Sequence, residues 1–173
     1  MNSEIEIVPM TSAHLQEVAD LDALAHKNDK WTVDMFAVEL ERGYTRYWAA
    51  LADGRPIGAI GIWVFFDEAE IATVTVHPDW QGRGIGTRLM AEAVRQAVNE
   101  GVDKATLEVR VDNEPALSIY KRFGFKKVHV RRRYYANGED AFLMKAEKWQ
   151  SREFAESVDD ILQRWKLKDR KAD

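Results

Sequence analysis

The chain of 173 residues contains no cysteine. That excludes disulfides, thiolate metal sites and a cysteine nucleophile. No spacing of His, Asp and Glu reads as a metal site. No apolar run approaches the roughly 20 residues needed to span a bilayer. The first residues, MNSEIEIVPM, hold no basic segment followed by an apolar one, so no signal peptide is expected. An excess of basic charge is also missing. Twenty-five Lys and Arg stand against 29 Asp and Glu, a net charge of −4, which argues against nucleic acid as the ligand. These absences lead us to expect a cytoplasmic protein with no membrane partner and no direct nucleic-acid binding; a monomer or weak homodimer is expected.

What is present supports a core, since 46% of residues are hydrophobic. EIEIVPM alternates and reads as a strand. SAHLQEVADLDALAH and TVDMFAVELE read as helices, the second with Thr32 as N-cap. TRYWAALA, the turn at Asp53-Gly54 and IGAIGIWVF read as a hairpin. After FDEAE, IATVTV reads as a further strand, which ends at His77-Pro78. A helix from about Gly84 to Asn99 follows, with Ile85, Leu89, Ala93 and Ala97 on one stripe. KATLEVRV is a strand. DNEPALSIYKRF is a short helix capped by Asn113. FKKVHVRRRYY and AFLMKAE form a last hairpin around ANGED. The fold class is therefore α/β (α+β). The sheet is mixed and mostly antiparallel, with one parallel crossover and helices on its faces. Phe154, Val158, Ile161 or Leu162, and Trp165 make a stripe on an added C-terminal helix. It packs on its own domain or meets a partner.

The segment HPDWQGRGIGTRLMAEAV places Gly82, Gly84 and Gly86 just where a helix begins. A dinucleotide G-x-G-x-x-G fails, because Thr87 and Leu89 stand where its last glycine belongs. A Walker A loop fails for want of a Gly-Lys pair. What remains is a run of backbone N–H groups at a helix start, suited to an anion. Gln81 and Arg83 add donors, and Arg83 adds charge. A tight turn needing positive φ is the plainer reading, but it would use one glycine.

QGRGIG resembles the Gln/Arg-x-x-Gly-x-Gly/Ala motif with which the GNAT superfamily of N-acetyltransferases binds acetyl-CoA. The order of elements is similar over roughly residues 4–146. The resemblance implies that Gln81, Gly82, Arg83, Gly84, Ile85, Gly86 and Thr87 hold the coenzyme pyrophosphate. It implies that Val74, Thr75 and Val76 pair with the pantetheine arm where two parallel strands splay apart, and that Asn113 bonds the same arm. The domain then spans residues 1–147, with a helical extension over 148–173. LEVRVDNEPALSIYKRFGF, RRRYY and EDAFLM resemble the bacterial ribosomal-protein-alanine N-acetyltransferases (RimI-like). KWTVDMFAVEL is similar to their acceptor segment, with Lys30 replacing the usual proline. The acceptor so implied is a protein N-terminus, such as that of a ribosomal protein, contacted by Trp31, Met35, Tyr134 and Tyr135.

Glu108 and Tyr120 are the candidate catalytic residues. Thr106, Glu108 and Arg110 share one face of a strand. A mid-strand carboxylate there is either a proton acceptor, as the resemblance implies, or one half of an ion pair with Arg110 or a neighbouring strand. Tyr120 shares a helical face with Ala116, Ile119 and Phe123. It is either packing or, as the resemblance implies, the acid that protonates a leaving thiolate. Direct transfer in a ternary complex is expected, since no cysteine can carry an acyl group. Two other readings stay open: the same fold acting on a small-molecule amine, and a non-catalytic coenzyme-A-binding regulatory module.

Overall fold

The computed structural model describes residues 4–170. Seven strands form one sheet among these residues, in the order β1-β2-β3-β4-β5-β7-β6. They are β1 (Ile5–Pro9), β2 (Thr45–Ala52), β3 (Arg55–Phe65), β4 (Glu68–Val76), β5 (Lys104–Arg110), β6 (Lys126–Arg131) and β7 (Ala141–Ala146). The β4–β5 pair is parallel and the other neighbours are antiparallel. The helices are α1 (Leu15–Ala25), α2 (Val33–Glu41), α3 (Ile85–Asn99), α4 (Glu114–Arg122) and α5 (Arg152–Arg170).

Local chemistry sets several of these boundaries. Asp53 (φ 50°) and Gly54 (φ 77°) form the tight β2–β3 turn. The Thr32 hydroxyl accepts from Met35 N at 3.3 Å and caps α2. Asn113 Oδ1 accepts from Ala116 N at 3.2 Å and caps α4. The start of β4 and the end of β6 differ most from the sequence reading. β4 begins at Glu68, inside FDEAE and ahead of the strand read as IATVTV, because Phe66 takes a left-handed φ of 55° and closes the β3–β4 hairpin tightly. β6 stops at Arg131 rather than running on to Tyr135. Arg133 turns to a φ of 51°, and its N–H donates to Asp140 Oδ1 at 2.9 Å.

The alternation of β2 and β3 places two apolar layers on opposite faces of the sheet. Tyr47 and Ala59 join α1 and α2 in one layer. Ala50, Ile60 and Ile62 join α3, α4 and α5 in the other. Trp149 is fully buried there, and its Nε1 donates to the Phe123 carbonyl at 3.1 Å.

The first layer also encloses a carboxylate. Glu39 is 5% exposed. Its Oε2 accepts from Tyr47 Oη at 3.0 Å and from Trp63 Nε1 at 2.5 Å, and its Oε1 pairs with Arg42 at 2.9 Å. Burial, followed by the Glu39 charge, holds the Tyr47 phenol above its ordinary pKa, so it stays a donor. Glu39→Gln keeps the volume but weakens charge-assisted bonds. The expected loss is about 1–2 kcal/mol, read as a Tm lowered by roughly 3–6 °C. An unchanged Tm would show that the charge on Glu39 adds nothing to stability.

Candidate active site

β4 and β5 are paired only through Glu68↔Lys104, Ala69↔Ala105 and Glu70↔Thr106. Beyond those residues the ladder stops, and a cleft of about 870 Å³ opens between the two strands. Ile71 to Val76 line one side and Glu108, Val109 and Arg110 the other. The glycine loop, the start of α4 and the segment joining α1 to α2 complete the wall. Splaying leaves backbone groups of β4 without ladder partners, and such groups must find others.

The glycine loop presents unpaired backbone donors at the start of α3. Gly82 (φ 73°) and Gly84 (φ 81°) lie in the left-handed region, which glycine enters without strain. The first backbone bond of α3 runs from Arg88 N to Gly84 O at 3.0 Å. The N–H groups of Ile85, Gly86 and Thr87 therefore have no partner within the helix. Gly86 is held close to α4, since a Cβ there would lie 2.9 Å from Ile119 Cδ1. Gln81 Nε2 donates to the Val76 carbonyl at 3.0 Å and ties the loop to the end of β4. The Arg83 guanidinium stacks 4.8 Å from the Trp80 ring, beside the loop rather than in the cleft wall. Thr75 Oγ1 is buried without a partner. The Asn113 cap uses its oxygen, and its amide nitrogen remains a donor beside the cleft. Exposed N–H groups, absent side chains and spare polar groups suit a pyrophosphate with an amide-bearing arm.

Glu108 and Tyr120 line this same cleft. The Glu108 side chain is 16% exposed, and its Oε1 lies 3.2 Å from Arg131 Nε of β6. The ion pair therefore runs to Arg131 and not to Arg110. Arg110 pairs instead with Asp29 and Glu139, and its guanidinium lies 4.0 Å from the Tyr135 ring. Glu70 joins the group from β4. Burial raises its carboxyl pKa, the Glu108 charge raises it further, and Arg131 opposes both. Tyr120 is 8% exposed and meets Phe125 edge-on, with ring centroids 5.9 Å apart. Burial raises its phenol above the ordinary value, and neighbouring Tyr135 adds to the effect. It is a protonated donor at any physiological pH.

Of the residues read as contacting the acceptor, Trp31 and Tyr135 line the cleft. Met35 (45% exposed) and Tyr134 (47% exposed) stand outside its lining. Asp22, which the sequence reading passed over, pins Trp31. Its buried Oδ2 accepts from Trp31 N at 2.6 Å, while burial raises its carboxyl pKa. His26 was also missed. Its Nε2 donates to the Val74 carbonyl at 3.1 Å, on the strand assigned to the pantetheine arm. Glu70 could have been found by period-two alternation from Ile71 back through FDEAE.

Comparison with known proteins points the same way. The profile of the Acetyltransferase (GNAT) family matches residues 14–125. The Mycobacterium tuberculosis N-alpha-acetyltransferase RimI is 39% identical over 147 residues, 82% of this chain and 91% of that protein. The Escherichia coli ribosomal protein bS18-alanine N-acetyltransferase is 31% identical over 137 residues, covering 74% of this chain and 91% of its own length. The crystal structure of the ribosomal-protein-S18-alanine N-acetyltransferase from Escherichia coli superimposes with a TM-score of 0.76 at 26% identity. That match covers 84% of this chain and 94% of that one. The splayed pair, the glycine loop and these similarities lead to one conclusion: the chain belongs to the GNAT family and is an N-acetyltransferase that takes its acetyl group from acetyl-CoA.

Proposed function

We propose that this enzyme acetylates the α-amine at the N-terminus of a protein in the cytoplasm, a ribosomal protein beginning with alanine being the first acceptor to try. The observation that carries the reading is the placement of a carboxylate on β5 and a protonated phenol on α4 in one open cleft. Similarity to relatives named for α-amine acetylation supports the choice of acceptor. The Gly82–Thr87 backbone and the β4 residues Val74, Thr75 and Val76 hold the coenzyme. Asn113 supplies a further donor.

The chemistry follows from these groups. An α-amine with a pKa near 8 is roughly one-tenth neutral at pH 7, whereas a lysine amine near 10.4 is almost wholly charged. Glu108 accepts the proton of the bound ammonium, directly or through one water. The freed nitrogen bonds to the thioester carbonyl carbon. When the carbon–sulfur bond breaks, Tyr120 donates its proton to the departing thiolate, whose conjugate acid has a pKa near 8.5. The phenol is restored by the second proton of the nitrogen. No acyl-enzyme forms.

The test uses a peptide that begins Ala-Arg and carries one internal lysine. After incubation with acetyl-CoA, fragment mass spectrometry is expected to place acetyl on the α-amine alone. Acetyl on the lysine side chain, or none on the peptide while acetyl-CoA binds, overturns the reading. The latter result favours a small-molecule amine.

A further inference from the structure

The family profile ends at residue 125, so α5 lies outside it. In the structure α5 runs the length of α3, antiparallel to it. At its start, Gln150 Nε2 donates to the carbonyls of Val98 and Val102, at 2.9 and 2.7 Å, beside the end of α3. Phe154 stacks on buried Trp149, with ring centroids 5.5 Å apart and planes 7° from parallel. Val158, Ile161 and Leu162 continue the contact into the core layer. At the far end the indole of Trp165 reaches the glycine loop. A Cβ added at Gly84 would lie 2.6 Å from Trp165 Cζ2. The Arg88 guanidinium, one turn into α3, lies 5.7 Å from the centre of the same ring.

Two facts make this contact matter. Gly82 and Gly84 sit in a conformation that glycine leaves easily, so a neighbour that fixes the Gly84 backbone limits how the loop meets the first turn of α3, where the N–H groups of Ile85, Gly86 and Thr87 have no helical partner. The indole also fills the space that any side chain at position 84 would need. Gly84 is thus required twice, for its φ and for its neighbour.

We propose that Trp165 is a positioning residue for acetyl-CoA: α5 carries its indole onto Gly84 and Arg88 and holds the pyrophosphate loop in the conformation that binds. The proposal rests on the assignment of Gly82–Thr87 to the pyrophosphate. Holding the loop in advance raises affinity, because binding no longer bears the entropy of ordering it. The extension is then a part of the coenzyme site supplied from the far end of the chain.

The experiment compares the full-length chain with Trp165→Ala and Trp165→Phe. Titration calorimetry with acetyl-CoA and steady-state kinetics with the alanine-starting peptide are the readouts. Trp165→Ala is expected to raise Kd and KM for acetyl-CoA by about tenfold. Saturated kcat and the peptide KM change less than about twofold, and Trp165→Phe restores most of the affinity. Linkage also demands the reciprocal effect in the unaltered protein. Acetyl-CoA should slow amide hydrogen exchange in residues 158–166 as well as in the loop. An unchanged Kd in Trp165→Ala overturns the proposal, and so does exchange in 158–166 that ignores the coenzyme. Gly82→Asp separates the two levels of inference, since aspartate tolerates positive φ but sets a charge against the phosphates. If Gly82→Asp abolishes binding and Trp165→Ala does not weaken it, the loop assignment stands and the role of Trp165 falls. If neither variant alters binding, both fall.

Discussion

Glutamine in place of Glu108 lowers kcat/KM for the peptide by about 100- to 1,000-fold near pH 7, with the Kd for acetyl-CoA within about twofold of the parent value. The amide matches the carboxylate in size and still lines the cleft, but it cannot take a proton. Loss of the ion pair matters little for folding. The Arg131 side chain is 45% exposed and stays solvated, and exposed pairs contribute about 0–1 kcal/mol. The pH profile separates proton transfer from simple positioning. Above about pH 8 the α-amine loses its proton unaided, so the deficit of the variant shrinks as pH rises. A deficit that is the same at every pH would mean that Glu108 orients the acceptor and takes no proton. A loss smaller than about threefold would remove it from the mechanism.

Phenylalanine in place of Tyr120 costs about 100-fold in kcat, again with little change in acetyl-CoA affinity. The ring keeps its edge-on contact with Phe125, so the substitution deletes a donor and little else. Burial has already raised the phenol pKa well above 10. The folded protein therefore keeps this proton through the whole working range, and the parent enzyme shows no alkaline loss of activity from Tyr120 below about pH 10. A variant with unchanged kcat would show that the side chain only packs. A raised KM for acetyl-CoA with unchanged kcat would show that the hydroxyl binds the coenzyme instead.

Features governed by neighbours in the chain were legible before the structure. Thr32 and Asn113 each cap a helix that begins one residue later, and Asp53-Gly54 turns a hairpin by its own torsion preferences. The two stripes of α3 and the glycines ahead of it follow the same local logic. What was not legible depends on distant pairing. Glu108 meets Arg131 because β7 lies between β5 and β6, an arrangement that no rule of spacing supplies. Glu70 was hidden in FDEAE, where three acids resemble a solvated turn and only Phe66 breaks the strand. Asp22 sits on a helix stripe like any surface acid, yet the α1–α2 segment folds back over it. The part played by Tyr120 came from family resemblance, since its helical face alone reads as packing. Trp165 was legible as an apolar position, but its destination was not.

β6 forms one edge of the sheet. An unpaired edge strand invites another chain to add itself, and this one is poorly suited to that. Lys126 and Lys127 are exposed, the register slips between Lys127 and His129, and Arg131 follows. Charge and a bulge are the usual defences of an edge against aggregation. The charge of the edge and the proposed proton acceptor therefore share a residue. Arg131 adds charge to the edge strand and reaches across β7 to pair with Glu108. Neutralising every basic residue of β6 to alter the handling of the protein in concentrated solution would also remove the partner of Glu108. Lys126 and Lys127 lie outside that pair, so the charge of the edge can be changed there without touching it.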